Sequence, residues 1–254
     1  TLGLEEPIVE RDFTPLSREE MTVFTSEHPR PADALPAELL RERLTEEQQA
    51  WFAGLVHEGR ADIMAYRRVV QPAAEAIFGP VPSDAVLAGE QTSEGTAGGF
   101  RVTRGWCGLQ NDGSRIPWVL IWPKDRPQGL SVAIDGRGKH DLFDASGKPL
   151  AAIQQQLQQG RAVITADVLL TGEYLPVEVR VEPHVNQSFA GYTFGYNRSL
   201  IVERVRDVLT VAAQGERLTG APSVHWIGTR EAGPWVLLAR GLRGLEAGSL
   251  SADL

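Results

Sequence analysis

The chain has 254 residues, 42% of them hydrophobic, and a formal net charge of −8. That length supports one large α/β domain with its own core, or a domain with a helical appendage. The acidic balance, without a concentrated Lys/Arg run, excludes nucleic-acid binders, which need a basic face to displace counterions. The single cysteine, Cys107, excludes an intrachain disulfide and a multi-cysteine metal site, and no apolar run reaches the roughly 18 residues of a membrane-spanning helix.

The sequence starts at Thr1, with no charged-then-apolar signal segment behind it, so the start reads as a processed or trimmed end. Residues 1–35 are rich in proline and acidic residues and read as a linker or the tail of a preceding domain. Within them Ser17-Arg18-Glu19-Glu20 has the form of a capping box for one short helix. Residues 36–80 turn helical. Leu39, Leu40 and Leu44 recur at helical spacing, Thr45 is placed to cap a helix carrying Trp51, Phe52 and Leu55, and Ile63, Met64, Tyr66, Val69 and Val70 continue the pattern. Pro72 is expected to open a further turn that Gly79-Pro80 stops. These helices read as a segment packing on a larger core, with a separate interaction module as the other reading.

From residue 81 to 254 the pattern is that of an α/β domain. Runs at 85–90, 99–106 and 117–122 have strand character, and Asn111-Asp112-Gly113 predicts a hairpin turn between the last two. An apolar strand at 130–134 ends in Asp135-Gly136-Arg137-Gly138-Lys139, a helix at 148–159 closes on Gly160, and a second buried strand covers 161–167. The alternation of strand, helix and strand is that of a parallel sheet with crossover helices. Residues 168–196 are too long for an ordinary connection and are expected to form a loop over the strand ends. A helix at 200–213 follows, and then the run PSVHWIGTREAGPWVLLAR at 222–240. The last segment, GLRGLEAGSLSADL, passes from a helix into what reads as a new strand, so the domain is expected to be truncated at its C-terminus.

The run at 222–240 reads as strand, glycine-bounded turn and apolar helix, the backbone form of a nucleophile elbow. Antiparallel strands followed by β-α-β-α-β-turn-α are the order of an α/β-hydrolase core. LSVAIDGRGKHD, VITADVLLTGEY, GYTFGYNRSLIVERVRDVL and GTREAGPWVLLA, in that order, resemble the acetyl xylan esterase-like α/β-hydrolase family. The helix IMAYRRVVQPAAEAIFG resembles the one that precedes a second hydrolase-like unit in its large multi-domain members. Related carbohydrate esterases, the glucuronoyl esterases among them, carry Gly-x-Ser-Arg-x-Gly at the elbow. Laid on that pattern Gly228 and Gly233 match, Arg230 stands where the serine belongs and Glu231 where the arginine belongs.

The resemblance implies an incomplete α/β-hydrolase-like, mostly parallel sheet flanked by helices, with an N-terminal helical segment. It also implies a location in the periplasm or outside the cell, a catalytic hydrolase domain or subunit as partner, and carbohydrate as a ligand. No catalytic set is expected intact. Arg230 cannot be deprotonated and presents donors only, and no histidine follows it, whereas this fold needs nucleophile, acid and histidine in that order. The chain therefore reads as a non-catalytic unit, structural or substrate-positioning, of a carbohydrate esterase-like protein. The other reading is an active serine-type ester hydrolase on acetylated polysaccharide, with catalytic groups outside the elbow or from another chain.

What the elbow retains is the oxyanion side: backbone N–H groups of Glu231 and of the Gly136-Arg137 loop, the helix N-terminus, and the cation of Arg230. Gly136, Arg137, Glu173 and Arg230 form the candidate anion or substrate pocket. Against it stands a closed pocket in which Arg230 pairs with Glu231, Asp135 or Glu173, and this simpler reading is favoured. His225 precedes the turn and reads as a core or edge residue. A metal site from His140, Asp141 and His184 has no supporting ligand spacing, so no metal is expected. Gly136-Arg137-Gly138-Lys139 lacks the phosphate-loop frame, so no cofactor is expected either. Phe189, Tyr192, Phe194 and Tyr196 read as satellite core, with sugar stacking as the alternative.

Overall fold

The computed structural model describes residues 12–55, 60–83, 87–110, 112–175, 191, 195, 197–244 and 248–253. It divides into two compact units, Thr1–Tyr66 and Arg67–Leu254. In the first, α1 (Arg18–Met21) is opened by the capping box that the sequence predicts: Glu20 N–H donates to Ser17 Oγ at 3.2 Å, and Ser17 N–H donates to Glu20 Oε2 at 2.8 Å. Helix α2 (Ala37–Leu55) buries none of its residues. Helix α3 (Arg60–Phe78) runs through Pro72 without stopping, so the expected new turn is absent, and Gly79 ends the helix with φ of 77°. The last residues of α3 belong to the second unit, where Arg206 Nη1 donates to the Phe78 carbonyl at 2.8 Å.

The second unit is organised on a seven-stranded sheet: β1 (Leu87–Ala97), β2 (Phe100–Leu109), β3 (Ile116–Ile121), β4 (Gly129–Asp135), β5 (Arg161–Ala166), β6 (Val224–Thr229) and β7 (Leu250–Ala252). Their spatial order is β1-β2-β3-β5-β4-β6-β7. The first three strands and β5 are joined by antiparallel pairs, while β5, β4, β6 and β7 run parallel. Helices α4 (Ala151–Gln158), α5 (Leu200–Thr219) and α6 (Ala232–Arg243) make the crossovers.

β1 continues to Ala97, well beyond the expected 90, and turns into β2 through Gly98 and Gly99, with φ of 56° and 84°. Two left-handed residues in succession are what a tight hairpin requires. The expected turn at 111–113 is a longer loop, in which Asp112 Oδ1 accepts from Ser114 N–H at 2.8 Å; Asn111 lies outside the described residues.

All seven residues of β4 are buried, as expected of a central parallel strand covered on both faces. Side chains alternate between faces with a period of two. Leu130, Val132 and Ile134 meet Ala162 and Ile164 of β5, Trp226 of β6, and Val205, Val208, Leu209 and Val236 of α5 and α6. On the other face Ala133 and Val163 pack with Ile153 and Leu157 of α4. The fold thus holds the C-terminal ends of β4, β5 and β6 side by side, where their loops meet.

Candidate functional site

Between β6 and α6 stand only Arg230 and Glu231. Arg230 has φ of 55°, in the left-handed region that a bulky side chain rarely occupies. Contacts at several points hold it there. Its N–H donates to Asp253 Oδ2 at 2.8 Å, its carbonyl accepts from Gly233 N–H at 3.1 Å, and its Nη1 donates to Asp135 Oδ2 at 2.6 Å and to Asp141 Oδ2 at 2.8 Å. The hydrogen bond that Arg230 donates to Asp135, followed by the charge of Asp135, pushes the Arg230 guanidinium above its ordinary range. Asp135 is nearly fully buried, and Thr229 Oγ1 at 2.7 Å and Arg137 N–H at 2.9 Å complete its shell.

The loops after β4 and β5 are laced by Lys139 and Asp167. Lys139 N–H donates to Asp167 Oδ1 at 2.7 Å, its ammonium bonds both Asp167 and Glu173, and Glu173 N–H donates to Asp167 Oδ2 at 3.0 Å. Gly172 N–H reaches the Arg137 carbonyl at 3.1 Å. Helix α5 grips the next stretch: Asp207 Oδ2 accepts from Leu169 N–H at 2.7 Å, and Arg204 Nε donates to the Leu169 carbonyl at 3.0 Å while stacking 4.2 Å from the centre of the Trp235 ring. Burial pushes the Asp207 carboxyl up to about 7, against the opposing bond from Leu169.

These loops enclose a cavity of about 1440 Å³ whose walls include Gly136, Arg137, Lys139, Glu173, Glu231 and Trp235. Of the candidate pocket residues, the structure brings Gly136, Arg137 and Glu173 to this cavity. Arg230 lies beside it, turned to Asp135 and Asp141. The ion pair from Arg230 to Asp135 is formed, whereas Glu231 acts on it only through its charge and Glu173 pairs with Lys139. None of the described residues in the cavity wall is Ser, Thr or Cys.

The Gly136 loop and the first amide after the tip lie close together. Gly136 and Glu231 approach closely enough that a Cβ at Gly136 would lie 3.0 Å from the Glu231 backbone nitrogen. The loop amides are committed elsewhere, however: Gly136 N–H donates to the Thr229 carbonyl at 3.2 Å, and Arg137 N–H to Asp135. Sequence reasoning did not foresee Asp253, Lys139, Arg204 or Asp207 in this arrangement. Lys139, Arg204 and Asp207 stand in segments that the sequence singles out, but the contacts of all four are not written locally, because each acts on a residue at least 23 positions away.

His140 Nε2 lies 2.8 Å from Asp141 Oδ1, so the two share the Arg230 network. His225 Nδ1 meets Ser249 Oγ at 2.5 Å, and burial lowers its pKa; it sits five positions before the tip. His184 and the ring residues Phe189, Tyr192, Phe194 and Tyr196 lie outside the described residues. Among the described residues no group of three or more His, Cys, Asp or Glu is placed to hold a metal, and no helix is long and apolar enough to cross a membrane.

No protein-family model and no curated protein matches the chain. Among solved structures it is similar to a Bacteroides fragilis protein described as a candidate acetyl xylan esterase, at 13% identity with a TM-score of 0.58, over 77% of this chain and 57% of that one. A second match is a thermostable carboxyl esterase from Bacillus coagulans, at 12% identity with a TM-score of 0.39, over 65% and 43% of the two chains. The chain thus spans little more than half the length of the first structure. Sheet order, crossover helices, the strained turn after β6 and that likeness together identify the architecture as the α/β-hydrolase fold.

Proposed function

We propose that this chain is a non-catalytic α/β-hydrolase-like unit of an acetyl xylan type carbohydrate esterase-like protein, with a structural or substrate-positioning role. The observation that carries the proposal is Arg230 at the tip of the elbow, its guanidinium bonded to Asp135 and Asp141. Acyl transfer needs a nucleophile at this point and a base to take its proton. A guanidinium supplies neither, and its two carboxylates hold it charged. The same ion pairs support a structural role, since they tie β4, β6 and the 139–142 turn together. The cavity supports substrate positioning: Arg137, Glu231 and Trp235 offer a donor, an acceptor and an aromatic edge to a hydroxyl-rich ligand. A catalytic hydrolase domain or subunit is the partner such a role requires, and a periplasmic or extracellular setting fits polysaccharide as substrate.

The test is hydrolysis of p-nitrophenyl acetate and acetylated xylan by the purified chain, with binding of acetylated xylo-oligosaccharides measured in parallel. The expected result is no turnover, with saccharide bound if the role is positioning and unbound if it is structural. Turnover abolished by a serine-directed phosphonate overturns the proposal in favour of an active ester hydrolase.

A further inference from the structure

At the opposite end of the parallel strands from the elbow, the start of β2 and the loop from β3 to β4 enclose a concavity of about 440 Å³. Its walls include Phe100, Arg101, Trp122, Lys124, Arg126, the acid Asp125 and the loop prolines. The loop is pinned at both ends: Trp122 N–H donates to the Arg101 carbonyl at 2.9 Å, and Gln128 N–H to the Gly160 carbonyl at 2.8 Å. Pro123 and Pro127 stiffen the five residues between. Trp122 is fixed further by its Nε1–H, which donates to Thr103 Oγ1 at 2.7 Å. The Arg101 guanidinium lies 4.1 Å over the indole, and stacking of this kind leaves the fork of donors in its plane directed outward.

The cations here are only partly compensated. Glu94 Oε1 forms a long ion pair with Arg101 Nη1 at 3.9 Å, past hydrogen-bond reach. Among the described residues Lys124 and Arg126 have no carboxylate partner, and the one acid in the loop, Asp125, has no cation within ion-pair distance. Three cations against the two acids Asp125 and Glu94 leave the hollow with an excess of positive charge, on a chain whose net charge is −8, and that excess favours a bound anion. A bare inorganic anion would use the donors and leave the indole, the phenyl ring and most of the volume without a partner. A sugar ring bearing a carboxylate or phosphate uses both, with the ring against the aromatic wall and the anion on the outward donors.

We infer that the hollow formed by Arg101, Trp122, Lys124 and Arg126 is a binding site for a single anion-bearing sugar ring, separate from the elbow cavity. Calorimetric titration with D-glucuronate and with glucose 6-phosphate tests it, with glucose and inorganic phosphate as controls. At least one of the two acids binds more tightly than either control, and its affinity falls as NaCl is raised. The identity of the acid that binds distinguishes a carboxylate from a phosphate source. The double variant Lys124→Ala/Arg126→Ala changes two exposed side chains, and circular dichroism checks that it is folded. It loses at least about tenfold in affinity, as expected for two charge-assisted hydrogen bonds. Equal binding of glucose, equal binding of inorganic phosphate, no binding of either acid at millimolar concentration, or undiminished binding by the folded variant each overturns the inference.

Discussion

Arg230 adopts a backbone conformation that costs a bulky residue on the order of 1–3 kcal/mol, and the bonds it makes to Asp135, Asp141 and Asp253 offset that cost. Replacing it with serine would restore the residue type that the elbow of a hydrolase carries, yet it would leave the buried Asp135 carboxylate without its cation. Arg230→Ser is therefore expected to lower stability by about 1–3 kcal/mol, read as a shift in the urea midpoint with unchanged slope. An unchanged midpoint would show that the ion pair is not what stabilises the turn. A second residue-scale prediction concerns Asp207. Its folded-state carboxyl is pushed up to about 7 from an ordinary 3.8, so between those values the folded chain holds a proton that the unfolded chain has lost. Stability from this group is fully present below about 4, falls as pH rises through the window, and is flat above about 7. Asp207→Asn keeps an oxygen for Leu169 N–H and removes the titration. The difference in stability between wild type and variant should change by up to about 4 kcal/mol from pH 4 to pH 8, measured by denaturation across that range; a constant difference would refute the assignment. Arg230 was visible as a departure from a motif and Asp135 as one of three candidate partners, but the sequence did not show which of the three pairs with it, nor that Asp141 and Asp253 join in. Nothing around Asp207 distinguishes it from any acid on an amphipathic helix.

Among the elements, those buried on one or both faces were readable. β4 and β5 are short apolar runs, and α5 carries its apolar residues at helical spacing, so burial is written directly into the pattern. The far half of β1 was not readable, because the exposed residues 89–96 carry no apolar alternation and are held as strand by backbone pairing to β2. Helix α3 likewise crosses Pro72, where local reasoning expects a new turn. The first turn of α6 shows how closely elements approach at the elbow. A Cβ at Gly233 would run into the Asp253 carbonyl, and neither the helix nor the chain after β7 has room to retreat, since Asp253 N–H also donates to the Gly228 carbonyl at 3.0 Å. Gly233→Ala is expected to destabilise by about 1–3 kcal/mol as an overpacking change, despite alanine's higher helix propensity. Thermal unfolding checks it, and a stabilised variant would mean that the contact yields freely.

At the scale of the whole molecule, the composition, the order of strands and helices, and the strand-turn-helix geometry at 224–243 follow from the sequence alone. They do so because hydrophobic period, glycine-bounded turns and helix caps are relations between residues near one another in the chain. The parallel pairing of β4 with β6, which sets Asp135 opposite Thr229, is a relation between residues 94 positions apart. On it depend the clamp on Arg230 and the commitment of the Arg137 amide to Asp135. The cavity beside them depends equally on the lacing of the 136–142 and 167–175 loops. Which carboxylate a charged side chain meets depends on distance in space, which the periodicity of the chain does not encode; that is why the elbow and the expectation of an ion pair in it were legible in the sequence, while the choice of Asp135 and Asp141 as partners was decided by the tertiary structure.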